Sequence, residues 1–182
     1  GSPGYFISPY FYLLMNGDTA AQNNTMVGIK DPRIPYFFYN QLGPGEAAEN
    51  PVSYQNDRFL SIWFASYDKD PNEGFAQPNS QTLLGLWPVG GAFDNGLGVN
   101  GSLNSGLKGA GAHRILTTAD IHFIRAELAL TKNTGENART FLESGIKASF
   151  AKVNAVARIA GAPVLTDADI SAYATKVLTK YD

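Results

Sequence analysis

A chain of 182 residues with 44% hydrophobic content can bury a sizeable core, and it suits one domain or a large piece of one. The formal net charge is −2 and the 14 basic residues form no run, so the electrostatic footprint of a nucleic-acid or anionic-membrane binder is missing. The absence of cysteine excludes disulfides, thiol nucleophiles and thiolate metal sites, and leaves the compartment open.

In chain order, Ser8-Pro9 is a good helix start, and Tyr10 to Met15 forms a short aromatic helix that Asn16-Gly17 stops. The prolines of Asp31-Pro32-Arg33-Ile34-Pro35 forbid a regular helix, and the aromatics that follow to Tyr39 favour an extended edge run. Turn formers dominate from Gln41 to Asp57. Phe59 to Tyr67 is an aromatic patch around Trp63, and Asp68 to Ser80 is a loop. In Ser80 to Gly96, the Trp87-Pro88 and Gly90-Gly91 pairs make bends that bring backbone and ring close together. Gly96 to Gly111 reads as a surface loop.

The character changes near residue 112, which divides a loop-rich and aromatic-rich region (1–112) from a helical scaffold (113–182) within one structural domain. Thr117 or Thr118 caps a helix, with Asp120 near its positive end. Ile121, Ile124 and Leu128 form one apolar stripe, and Phe123, Ala126 and Leu130 form another, so this helix is expected to be buried on two sides. After Lys132-Asn133-Thr134-Gly135 a second helix presents Ala138, Phe141, Leu142, Gly145, Ile146, Phe150 and Val153 inward, completing a helical hairpin. A third helix starts at Thr166-Asp167-Ala168-Asp169. Ala126, Ala138 and Gly145 occupy the small-residue places of a tetratricopeptide unit, while His122 and Arg125 stand where large apolar residues belong. Any antiparallel helix pair with small residues at its crossing would read the same way.

Four segments in order resemble the SusD/RagB outer-membrane lipoproteins, in particular the SusD-like branch. They are Asp31-Pro32-Arg33 with its aromatic run, Gly85-Leu86-Trp87-Pro88-Val89-Gly90-Gly91-Ala92-Phe93-Asp94, the helix from Ile115 to Ala129, and Gly145-Ile146-Lys147-Ala148-Ser149. The resemblance implies a mainly α fold, with tetratricopeptide-like helix pairs, long irregular loops and a short β-hairpin. It also implies a nutrient-binding protein that is not an enzyme, facing outward on the outer membrane and paired with a SusC-like TonB-dependent transporter. Trp87 departs from the family pattern, in which tyrosine is common. Gly1-Ser2 reads as a cloning remnant and both ends read as cut, so membrane attachment is expected only through a lipid anchor outside this chain.

Glycan binding needs flat apolar faces beside hydroxyl-bonding side chains. Tyr67, Trp87, Trp63, Phe75 and Asp94 are therefore the expected ligand contacts, with Asp68, Asp70, Asn72 and Gln77 as further polar partners. The plainer alternative for Trp63 and Trp87 is that each closes the core beneath a loop. Asp68 to Asn79 resembles a calcium loop, but the glycine is displaced, a proline interrupts and the final acid is missing, which favours a solvated turn. His113 and His122 are nine residues apart, a spacing that suits no helical metal pair, so neither metal nor cofactor is expected. Asp31 and Arg33 read as a structural clamp, the carboxylate taking turn amides and the guanidinium covering a ring. Glu127 and Glu143 would be the acids of a glycosidase, although salt bridges suit them better. A protein-interaction scaffold without glycan binding is the rival reading.

Overall fold

Residues 6–63, 77–99 and 105–182 are described by the structure, a computed structural model. The first helix, α1 (Pro9–Asn16), starts on a proline and ends where Gly17 takes φ 68°, donating its amide back to Leu13 and Leu14 carbonyls. The Asp31 segment departs from the extended run expected of it. Pro35 falls in the first turn of a helical turn, α2 (Ile34–Phe37), where its missing N–H costs nothing, and only Phe38 and Tyr39 are extended, as β1 (Phe38–Tyr39).

Strand β2 (Tyr54–Asn56) and strand β3 (Phe59–Ser61) form a two-residue hairpin with Asn56 opposite Phe59. Asp57 in the turn has φ 51°, a left-handed conformation that Asp tolerates better than most side chains. The other sheet pairs β1 with β4 (Leu83–Leu84), Phe38 lying opposite Leu84. A helical turn, α3 (Leu86–Val89), follows. The expectation of a mainly α, tetratricopeptide-like fold is thereby corrected: among the described residues two small antiparallel sheets accompany six helices, which makes the arrangement weakly mixed α/β. The β-branched-poor, aromatic-rich segments pair because Phe38 and Phe59 bury fully against Tyr12 of α1, which fixes both strands to one core.

Helix α4 (Thr118–Lys132) carries a capping box between Thr117 and Asp120, and helix α6 (Asp167–Tyr181) carries another between Thr166 and Asp169. Between them runs α5 (Ala138–Ala160), capped by the Asn137 side chain. Val153 and Ala157 of α5 share a core with Tyr36 and Leu86, while Ile146 and Phe150 share another with Ile29 and α6 residues Ile170, Ala174 and Val177. The two sequence regions are thus packed into common cores. Tyr36 strengthens the junction by donating its hydroxyl to the Pro163 carbonyl at 2.8 Å.

Helix α4 is not buried on two sides. Its Ala119 and Ala126 face α5, and Phe123 lies over Gly145, but Ile121, Ile124 and Leu128 on the opposite side remain 42%, 48% and 41% exposed. The stripe exists as the sequence indicates, and nothing among the described residues covers it.

Candidate functional site

The hairpin, the α1 helix and the Asp31 segment converge on a cavity whose floor is a chain of hydrogen bonds. The Leu60 amide of β3 donates to Thr82 Oγ1 at 2.9 Å, the Thr82 hydroxyl donates to Asn40 Oδ1 at 2.7 Å, and Asn40 Nδ2 donates to Asp94 Oδ2 at 2.7 Å. Arg58, projecting from the hairpin turn, grips both Asp94 oxygens at 2.9 and 3.1 Å, and the Gly96 amide adds a bond of 2.8 Å. Asn40, Thr82 and Asp94 are buried. A bidentate guanidinium–carboxylate pair with its remaining lone pairs filled is a rigid support. The Asp94 segment is held there by close backbone approach: Gly98 has φ 68°, and a Cβ on it would meet the Gly43 nitrogen at 2.4 Å, a position open only to glycine.

Above this floor lies a cavity of about 370 Å³. Its apolar wall comprises Tyr12, Ile34, Pro35 and Phe59, with the Tyr12 and Phe59 rings stacked at 3.9 Å and 13°. Its polar side carries Lys30, Asp57 and Arg58. Burial, assisted by Tyr54 and Asp57, pushes the Tyr12 hydroxyl up to about 12, so the phenol stays neutral and able to donate at physiological pH. Lys30 and Asp57 are exposed and make no ion pair among the described residues. The arrangement combines an apolar wall, fixed donors and a free ammonium and carboxylate, the mixture that holds a small polar ligand.

A second ion pair forms the adjoining wall. The Arg33 amide and guanidinium both donate to Asp31 (2.8 Å from the amide, 2.5 Å from Nη2), Nη1 donates to Ser149 at 2.5 Å, and the guanidinium carbon lies 4.4 Å from the Phe150 ring centroid. This matches the clamp geometry anticipated for the pair. Burial pushes the neighbouring Tyr173 hydroxyl up to about 12, with Asp31 reinforcing the shift.

Of the expected ligand contacts that fall among the described residues, only Asp94 lines this cavity, and there its carboxylate is occupied by Arg58, Asn40 and Gly96 as part of the support. Trp87 is half-buried beside Phe37, with the Arg114 guanidinium 3.5 Å from its centroid, so it serves as packing between α3 and the loop before α4. Trp63 packs edge-on against Tyr54 at 5.0 Å and stays 37% exposed, away from the cavity. Gln77 is buried, bonding the Asn50 backbone and Ser80. Tyr67, Phe75, Asp68, Asp70 and Asn72 lie outside the described residues. Tyr12, Lys30, Asp57 and Arg58 were not legible as site residues. The only sequence signal near them is the Asn56-Asp57-Arg58 turn.

Among the described residues no cluster of acids and histidines is placed to hold a metal ion. His122 stacks on Phe141 at 6.0 Å. Lys147 bonds Glu143 at 2.5 Å and holds its carboxyl below the usual range, opposite to the shift a general acid requires. No family model, curated protein or solved structure matches the chain.

Proposed function

We propose that this chain is a non-enzymatic binding protein that captures an oligosaccharide or related nutrient at the cell surface. We further propose that it faces outward from the outer membrane through a lipid anchor outside this chain, and passes its ligand to a SusC-like TonB-dependent transporter. The observation that carries the binding reading is the cavity beside Tyr12, with its apolar wall opposite Lys30, Asp57 and Arg58 over a hydrogen-bonded floor. The ordered resemblance of four sequence segments supports the location and the transporter partner.

Affinity electrophoresis through gels containing neutral polysaccharides tests it. Retardation of the 182-residue chain that weakens in Lys30→Ala and Asp57→Asn, with thermal midpoints unchanged, is the expected result. Migration unaffected by every polysaccharide refutes the reading. A second reading, a protein-interaction scaffold, is favoured by the uncovered stripe of Ile121, Ile124 and Leu128 on α4. That reading gains if no carbohydrate retards the chain and Ile124→Asp abolishes partner capture.

A further inference from the structure

A second cavity, about 310 Å³, lies on the other side of Asp31 and is lined by Phe11, Leu14, Met15, Arg33, Phe37 and Tyr173. We propose that it is a second sugar subsite, so that the ligand is a neutral saccharide of at least two units, one ring beside Tyr12 and the next beside Phe11. The inference rests on the carbohydrate reading above and extends it to a ligand class.

Three observations carry it. The cavities share a wall, because Asp31 lines both, and α1 supplies Tyr12 to one and Phe11, Leu14 and Met15 to the other. A helix advances 100° per residue, so Phe11 and Tyr12 occupy adjacent sectors of α1, and a ligand bending around its flank meets both.

The second cavity also holds a flat apolar surface in a fixed orientation. Phe11 is 44% exposed, yet its ring is braced by Phe37 at 5.8 Å and Phe38 at 5.6 Å. An exposed ring that is already ordered offers a face for sugar C–H groups at little entropic cost.

Among the described residues the charges lining both cavities balance. Lys30, Arg33 and Arg58 stand against Asp31, Asp57 and Asp94, three of each sign, with Arg33 paired to Asp31 and Arg58 to Asp94. With the Asp57 carboxylate lining the same cavity as the Lys30 ammonium, a carboxylate or sulfate on the ligand would find no net positive charge, whereas hydroxyl groups match the mixture of donors and acceptors.

Titration calorimetry on the 182-residue chain decides the matter, with glucose, galactose and mannose measured beside their α- and β-linked trisaccharides and an acidic trisaccharide. At least one neutral trisaccharide should bind more tightly than its monosaccharide, at equal affinity in low and high salt. Phe11→Ala should reduce trisaccharide affinity roughly two- to tenfold, the worth of one ring face, reduce monosaccharide affinity by less because the first cavity remains, and be rescued in Phe11→Tyr. Phe11→Leu retains apolar bulk without the flat face and should repeat the loss even if the alanine variant is unstable. Equal affinity for mono- and trisaccharide, or equal losses for both in Phe11→Leu, overturns the second subsite and leaves the first cavity standing. Tighter, salt-sensitive binding of the acidic trisaccharide overturns the neutral class. A chain that binds none of these sugars overturns both this inference and the binding reading beneath it.

Discussion

Replacing Gly145 by alanine tests the crossing of α4 and α5. In an open helix this change is favourable by about 1 kcal/mol, because alanine loses less backbone entropy on folding. Here the added Cβ would stand 2.5 Å from Phe123 Cε1, 2.7 Å from Cδ1 and 3.0 Å from Cζ, whereas carbon atoms pack comfortably at about 3.5 to 4.0 Å. The ring must move by about 1 Å or the helices must part, and overpacking of this kind costs about 1 to 3 kcal/mol. Phe123 is 38% exposed and can yield outward, which keeps the cost near the middle of that range, about 2 kcal/mol. The net expectation is a loss of about 1 kcal/mol. Urea denaturation of Gly145→Ala, Phe123→Ala and the double variant measures it. Once Phe123 is truncated, the obstruction vanishes and Gly145→Ala should stabilise by about 0.5 to 1 kcal/mol, giving a coupling near 2 kcal/mol. Stabilisation by the glycine replacement in both backgrounds would refute the proposed crossing.

Asp94→Ala removes the partner of a guanidinium that is largely buried and leaves Asn40 Nδ2 without its acceptor, so a loss of about 3 to 5 kcal/mol is expected in urea denaturation. A loss below about 1 kcal/mol would show that the floor relaxes without it. Asn154 donates to the Leu165 carbonyl at 2.8 Å and accepts from its amide at 2.9 Å, so Asn154→Ala orphans two backbone groups and should cost about 1 to 3 kcal/mol, read as a lowered thermal midpoint. The Tyr12 and Tyr173 hydroxyls have folded pKa values raised from 10.0 to about 12. The unfolded chain therefore loses these protons first, and their contribution to stability, fully present below pH 10, is lost as pH rises toward about 12. Circular-dichroism melts should show midpoints falling through this window, with a shallower fall in Tyr12→Phe, and identical pH profiles for that variant and the parent would contradict the assignment. Thr166→Ala removes the hydroxyl that caps the Asp169 amide at 3.1 Å and should cost about 1 kcal/mol by the same melts.

Much of the helical framework was legible because its determinants are local. Ser8-Pro9 and Gly17 bracket α1, and the Thr117–Asp120 and Thr166–Asp169 boxes start α4 and α6, each within four residues of chain. The Asp31–Arg33 clamp was legible for the same reason, since its two partners are two residues apart. The β sheets were less so: Phe38 meets Leu84 across a long intervening segment, and two-residue strands carry almost no period to read. Candidate contacts suffered most. Aromatic side chains look alike in sequence whether they close a core, as Trp87 of α3 does beneath Arg114, or line a cavity, as Tyr12 of α1 does.

Sequence alone settled where α1, α4, α5 and α6 begin and which stripes are apolar, because caps, prolines and glycines act through bonds to residues three or four places away, but it did not settle the short turns α2 and α3. Tertiary structure decided which stripes are used: α4 presents alanines to α5 and leaves Ile121, Ile124 and Leu128 outward. It also decided that Asp94 supports the cavity, since its partner Arg58 lies 36 residues earlier and reaches it only because the β2–β3 turn is aimed there. Contacts of that separation depend on the path of the whole chain, which no local pattern of residues encodes.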